Sequence, residues 1–221
     1  MSPGHQTAAP DRHAIHVRPA PGVVAQRSHH HWLIVVGAGF VLMLMVRGFL
    51  VQSYFIPSQS MEPTLEPNDR LLVNKVDVSS SLQRGDLVVF DGARAFGNES
   101  DYVKRVIGLP GDHVLCCDAA GHLSVNGASV KEPYLYPGDQ PSDLTFDVTV
   151  PAERVWVMGD HRSVSADSRA HLGDPGGGMV RLDDVVGRAA MVYWPPSRAG
   201  VLGTAESLEN VAAGMAGERH K

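Results

Sequence analysis

The chain has 221 residues, with 19 Lys and Arg against 24 Asp and Glu for a formal net charge of -5. That length suits one or two domains, and the charge has the wrong sign for broad electrostatic nucleic-acid binding, which needs a basic surface. Glycine (23) and proline (15) are frequent while aromatic residues make up 6%, a composition that predicts many turns and short strands rather than a helical bundle.

Residues 1–31 hold Pro3, Pro10, Pro19 and Pro21 and six of the eleven histidines, with only Asp11, Arg12, Arg18 and Arg27 charged. No apolar period runs through them, so a disordered tail is expected. His29-His30-His31 could bind a metal, but no carboxylate or cysteine completes a ligand set, and a solvated polar flank is the plainer reading. Trp32 to Val51 is then an apolar run interrupted by one charge, Arg47. About twenty such residues in a helix cross a bilayer. Trp32 suits one interface, and Arg47, near the other end, can extend its charge to the headgroups. No small-x-small cleavage site follows, which favours an uncleaved signal anchor over a signal peptide. Arg18 and Arg27 ahead of the run predict a cytoplasmic N-terminus, with the rest of the chain on the outer face of the cell membrane. The lead-in Tyr54-Phe55-Ile56 is expected to rest on the bilayer surface.

Next comes Ile56-Pro57-Ser58-Gln59-Ser60-Met61-Glu62-Pro63-Thr64-Leu65. If Pro57 to Met61 is extended, Ser58 and Ser60 share a face and could be a nucleophile and an oxyanion donor. Serines and prolines also simply mark loops.

From Arg70 the pattern is β. Strands are predicted over 70–76, 87–90 (a continuous apolar run suited to a buried strand), 102–107, 114–117, 123–125, 144–150, 154–158 and 185–194. Asp118 to Gly121 reads as one hairpin turn and Asn126-Gly127 as another. His171 to Gly178, with three consecutive glycines, reads as a mobile loop, and 197–221, polar and rich in Ala and Gly, as a flexible tail. Cys116 and Cys117 are adjacent; a bridge between neighbours strains the backbone, so free thiols or intermolecular pairing are as expected as a disulfide.

Standard site patterns are missing: no H-E-x-x-H, C-x-x-C, G-x-S-x-G or Walker loop occurs, and neither Ser58 nor Ser60 is followed three residues later by Lys. Lys104 remains, flanked on its own strand face by Tyr102 and Val106, with Arg105 on the other. A lysine stripped of water has a lowered pKa, and a neutral lysine can take a proton from a serine; an exposed edge-strand lysine is the alternative. Gly159 to Arg169 is dense in groups that want partners. Ser165 could orient the lysine amine, Asp167 and Arg169 could pair, and His161 could serve a serine triad. Asp160, His161, Asp167 and His171 could be imagined as metal ligands, though their spacing matches no common ligand set.

Taken together and in order, Ser58-Gln59-Ser60-Met61-x-Pro63-Thr64-Leu65 after an anchor, Gly85-Asp86-x-Val88-Val89-Phe90, Tyr102-Val103-Lys104-Arg105-Val106-Ile107-Gly108-Leu109-Pro110-Gly111-Asp112 and Gly159-Asp160-x-Arg162-x-x-Ser165-x-Asp167-Ser168-Arg169 closely resemble the bacterial type I signal peptidases. The resemblance spans about residues 47–196. It implies a mostly β fold: a coiled, barrel-like catalytic sheet over 52–196 with a β-rich lobe inserted at about 111–149, preceded by the transmembrane helix at 32–51. It implies that Ser60 is the nucleophile and Lys104 the general base. The Ser58 hydroxyl and Ser60 N–H would form the oxyanion hole, and Ser165 would orient the lysine. Asp167 with Arg169, and Arg105 with Asp160, would be supporting ion pairs. Substrates would be secretory preproteins with small side chains at the first and third positions before the cut; no metal, cofactor or nucleic acid is implied. His161, where the family usually has Asn, and Val164, where Asn is frequent, depart from the pattern. The alternative is a catalytically inactive, membrane-anchored β module that binds signal peptides or partner proteins. A self-cleaving repressor-type protease would carry a DNA-binding domain, for which 1–31 is too short.

Overall fold

The computed structural model describes residues 29–76, 81–208 and 211. The expected N-terminal tail lies outside the described residues up to position 28, and the side chains at 29, 30, 46, 47 and 49 are likewise outside them. The chain divides into two units between Phe40 and Val41, within helix α1 (His29–Leu50). Every described side chain of α1 is exposed. Among the described residues no helix is long and apolar enough to cross a membrane.

The rest is mostly β, as expected, and its strands pair antiparallel. The larger sheet runs in the order β1 (Val51–Phe55), β2 (Arg70–Asn74), β11 (Val185–Trp194), β3 (Leu87–Asp91), β4 (Asp101–Gly108), β9 (Arg154–Met158), β10 (Val180–Arg181), with β12 (Gly200–Val201) on β11. The smaller sheet runs β7 (Ala128–Val130), β6 (Leu123–Val125), β5 (His113–Cys116), β8 (Phe146–Thr149). β3 lies between β11 and β4, and its side chains alternate between two cores. Leu87 and Val89 join Leu71, Val73, Ala189 and Val192; Val88 and Phe90 join Val106, Val155, Val157 and Val180. Covering on both faces is why its sequence is apolar without alternation. A third core, around Ile107, Val114, Leu123, Val125 and Trp156, holds the small sheet. β4 ends on Gly108, where an added Cβ would stand 2.7 Å from a Val114 methyl, so only glycine allows this approach. Asn126 and Gly127 both have positive φ, 54° and 81°, the twist that joins β6 to β7 in a two-residue hairpin.

Three expectations differ, and the readings of the cysteine pair and of the 171–178 loop are made more definite. Val51 leaves the apolar run to begin β1, which pairs with β2 from Val51↔Asn74 to Phe55↔Arg70, so the run ends one residue earlier and a strand not foreseen follows it. Ile56 is 3% exposed and sits in the core, so of the lead-in expected on the bilayer only Phe55, 53% exposed, is outward. Cys116 and Cys117 are joined as a disulfide. The segment from 197 is not a free tail over its described part: Arg198 bonds both oxygens of Asp69, β12 pairs with β11, and Leu208 and Val211 enter the third core. Its apolar residues are too few to show a period, but burial needs only two well-placed side chains. His171 to Gly178, expected as a loop, is a series of hydrogen-bonded turns, including Asp174 N–H to His171 O and Gly177 N–H to Asp174 O.

Candidate active site

The Ser58–Ser60 segment connects β1 to β2. Its apolar residues hold it: Ile56, Met61 and Leu65 are buried in the core shared with β2 and β11. Backbone bonds from Ile56 N–H to Asp69 O (2.9 Å) and Asn68 N–H to Ile56 O (2.8 Å) close its base. The segment is not extended: it bends at Ser58-Gln59 and turns, with Glu62 N–H donating to Gln59 O at 3.0 Å. The bend still leaves the two hydroxyls 3.4 Å apart, with Ser60 9% exposed and Ser58 open to solvent.

Lys104 is near the middle of β4, opposite Val88 of β3, and 2% exposed. Its Nζ is 2.6 Å from Ser60 Oγ, a pair 44 residues apart in sequence. Burial pulls the ammonium's pKa from 10.5 to about 8; Asp167 and Asp160 pull it back up, and Arg169 pushes it down. Desolvation wins because no carboxylate touches the amine, and charge at a distance offsets only part of the lost hydration.

Arg105, on the other strand face, makes a two-pronged pair with Asp160: Nε to Oδ1 at 2.8 Å and an Nη to Oδ2 at 2.5 Å. Its remaining reach goes to Gly85 O at 2.8 Å and Thr64 Oγ1 at 3.2 Å. Thr64 in turn donates to Asp160 at 2.5 Å. The Arg105 guanidinium stays charged: burial works against it, and the Asp160 hydrogen bonds and charge outweigh burial, raising its pKa. Asp167 is fully buried. Burial pushes its pKa up, but Arg169, the Gly159 N–H and Ser165 outweigh that and hold the carboxyl below the usual range. Arg169 donates to both Asp167 oxygens, at 2.9 and 2.8 Å. Both expected ion pairs are therefore formed.

Ser165 is the one expected site residue without its expected contact. Its Oγ is buried with no hydrogen-bond partner of good geometry, close to Asp167 rather than bonded to Lys104. The four groups considered as metal ligands are not assembled. Asp160 and Asp167 are each taken by an arginine, His161 faces Glu62 at 3.6 Å, and His171 pairs with Asp174. Among the described residues no cluster of three such groups occurs.

Sequence reasoning missed several supporting contacts. Gly159 packs on the nucleophile segment: an added Cβ would fall on Ser165 Oγ and stand 2.5 Å from Ser60 O. His161 N–H donates to Ser60 O at 3.2 Å, and its ring stacks on Tyr136 of the 111–149 region with centroids 3.8 Å apart. Glu132, from the same region, forms a buried pair with Arg162, whose Nε bonds Gly159 O at 2.9 Å. Gly159 and Arg162 stand in the quoted motif, so their importance had a signal; Glu132 and Tyr136 had none, because their partners are far off in sequence.

Beside Ser60 and Lys104 opens a cleft of about 530 Å³ lined by β1, the Ser58–Met61 segment, the start of β4, Val164 and Ala166. A hydroxyl against a buried amine at the end of such a cleft can attack an acyl carbon of a chain laid in it.

Residues 29–194 match the family described as "Signal peptidase, peptidase S26". Among similar proteins is a "Probable signal peptidase I" of Mycobacterium leprae, 36% identical over 232 residues, covering 80% of this chain and 79% of that protein. A "Signal peptidase I" of Mycobacterium tuberculosis is 38% identical over 210 residues, with 73% and 71% covered. A "Signal peptidase I P" of Bacillus subtilis subsp. natto is 37% identical over 173 residues, with 74% and 88% covered. A solved signal peptidase I from Enterococcus faecalis aligns with 49% of this chain and 97% of its own at 30% identity and a TM-score of 0.39.

Proposed function

The chain belongs to the S26 family of signal peptidases, enzymes that remove signal peptides, and from that premise we propose that it acts as a membrane-anchored serine endopeptidase with a Ser60–Lys104 dyad. The observation that carries the reading is the 2.6 Å approach of the buried Lys104 amine to the Ser60 hydroxyl. With a pKa of about 8, roughly a tenth of Lys104 is neutral at pH 7. In that form the bond reverses, the Ser60 hydroxyl donating to the amine. Ser60 Oγ attacks the scissile carbonyl as Lys104 takes its proton. The Ser58 hydroxyl and Ser60 N–H donate to the oxygen on which charge develops, where preformed donors have most effect. The Lys104 ammonium then protonates the leaving amine, and the same amine later activates water against the acyl-enzyme. Ser165, a buried hydroxyl with no other good partner, is available to steady the Lys104 amine; an unpaired buried hydroxyl otherwise costs about 1–3 kcal/mol.

The first and third side chains before the cut are small on this reading, entering the cleft between Ile56, Met61 and Val103. The described residues alone do not make a full membrane span; on this reading the anchor is α1 counted whole, with positions 46, 47 and 49 whose side chains lie outside the described residues, and its 22 residues reach about 33 Å at ~1.5 Å each against a hydrocarbon core of ~30 Å. The stretch Trp32 to Val46 carries no charge, and an all-round apolar, exposed helix needs an apolar surrounding. The N-terminus is then cytoplasmic and the site outside, a few residues from the bilayer, where tethering raises the effective concentration of a membrane-inserted substrate.

Incubating the detergent-solubilised protein with a preprotein carrying an A-x-A site, and sequencing the new N-terminus, tests this. A cut directly after the second alanine is expected; an intact preprotein would reject the reading and favour the binding-module alternative. The packing of Gly159 on Ser60 supplies a second test. Gly159→Ala forces the Ser60 carbonyl or Ser165 to move, and misplacing a reacting group by about 1 Å can lower rate on the order of 100-fold. A kcat loss of roughly that size with KM little changed is expected from initial-rate kinetics.

A further inference from the structure

The cleft beside Ser60 has a mixed lining: Ile56, Met61, Val103, Val164 and Ala166 are apolar, while Asn98, Ser100, Asp101 and the two tyrosines 54 and 102 offer polar groups. Asp101 opens β4 and is exposed on the rim. Its carboxylate lies close to the Tyr54 hydroxyl, whose pKa is pushed up to about 12 by burial and by this charge. Directly across the ladder its partner is another acid, Asp91. Asp91 has its own cation, Arg94 at 3.5 Å, and also caps the short helix α2 (Gly92–Phe96) by accepting from Ala93 and Arg94 N–H. Asp101 has neither: among the described residues no ion pair includes it, and the acids that act on Lys104 are Asp167 and Asp160. Like charges facing across a strand pair are unfavourable, so Asp101 puts an exposed carboxylate with no ion pair among the described residues on the wall of the cleft where a substrate chain would lie.

We infer that Asp101 is a specificity-determining residue that favours preproteins carrying a Lys or Arg at the second or fourth position before the cut. The inference rests on the peptidase reading above. Asp101 and Lys104 are three positions apart, about 10 Å of extended strand at ~3.3 Å per residue. A substrate lying extended beside β4 covers the same distance in three residues, so the side chains two and four before the scissile bond bracket Asp101. Those are the positions not held to small residues. A lysine or arginine stem can lie along the tyrosine rings while its charge reaches the carboxylate. Such a rim contact acts through encounter and orientation and weakens with salt.

The test uses the full-length protein in detergent and A-x-A peptides that differ only in Lys, Gln or Glu at the second or fourth position, the Gln peptide being the reference for every variant. At one of the two positions the wild type is expected to give a kcat/KM for Lys over Glu of roughly 3- to 10-fold at about 0.05 M salt, falling toward 1 at about 0.5 M. Asp101→Asn should remove the preference, Asp101→Lys should reverse it toward Glu, and Tyr54→Phe should reduce it. Equal rates for Lys and Glu in the wild type, or an undiminished preference in Asp101→Asn, overturn the inference alone. If instead the wild type leaves the Gln peptide intact, or Ser60→Ala cleaves it as fast as the wild type, the peptidase reading itself fails and takes the inference with it.

Discussion

Ser60→Ala and Lys104→Ala are each expected to lower preprotein cleavage by roughly a thousandfold or more, with the fold retained. The two side chains act through one proton, so neither works without the other. The double variant should therefore be no slower than the worse single one, since groups that act as a unit lose their effect together. Lys104→Arg separates charge from basicity. A guanidinium holds its proton throughout the accessible pH range, so this variant should be as inactive as the alanine although it keeps the positive charge. Single-turnover cleavage followed by gel shift or mass spectrometry reads the rate, and circular dichroism of each variant reads the fold. Near-full activity in Ser60→Ala or Lys104→Ala would reject the dyad.

The pH dependence is the second large effect. With Lys104 at about 8, its neutral fraction rises from about 1% at pH 6 to about 90% at pH 9. The kcat should follow, gaining on the order of 90-fold between those values with a slope near one below pH 8. The same depressed pKa has an opposite consequence for stability. The folded-state value lies below the ordinary 10.5, so between about pH 8 and 10.5 the unfolded chain binds more protons than the folded one, and stability rises with pH across that window. Below pH 8 both states hold the proton and the folded state bears the full penalty of a dehydrated ammonium, about 3 kcal/mol for the whole shift. Replacing the lysine by an apolar side chain of similar length removes that penalty. Lys104→Met is therefore expected to be inactive yet more stable than the wild type at pH 7, by roughly 1–3 kcal/mol, with the advantage fading as pH approaches 10.5. Urea unfolding in detergent at pH 7 and pH 10 measures both. A Met variant less stable than the wild type at pH 7 would mean that the 2.6 Å contact with Ser60 outweighs desolvation.

Much of this architecture can be read along the chain. The strand at Leu87–Asp91 is announced by its unbroken apolar run and the β6–β7 hairpin by Asn126-Gly127, because local backbone preferences and burial on both faces leave their mark in consecutive residues. Ser60, Lys104, Arg105 and Asp160 stand out through the ordered motifs shared with a known family. β1 did not stand out: Val51 to Phe55 continues an apolar run with mixed residues, and only pairing with β2 makes it a strand. The buried Glu132–Arg162 pair, the stacking of Tyr136 on His161 and the docking of Leu208 link segments distant in sequence, and nothing local marks them.

The amino-acid order by itself determined the strand pattern, the apolar length of α1, the family and which serine and lysine to compare. Only the tertiary structure decided that these two meet at 2.6 Å, that Lys104 is 2% exposed, and that Asp101 lines the same cleft with no ion pair among the described residues. The reason is that hydration is not a property of a residue or its neighbours in the chain. It is set by what other segments cover, and both the basicity of an amine and the reach of a rim carboxylate depend on that covering.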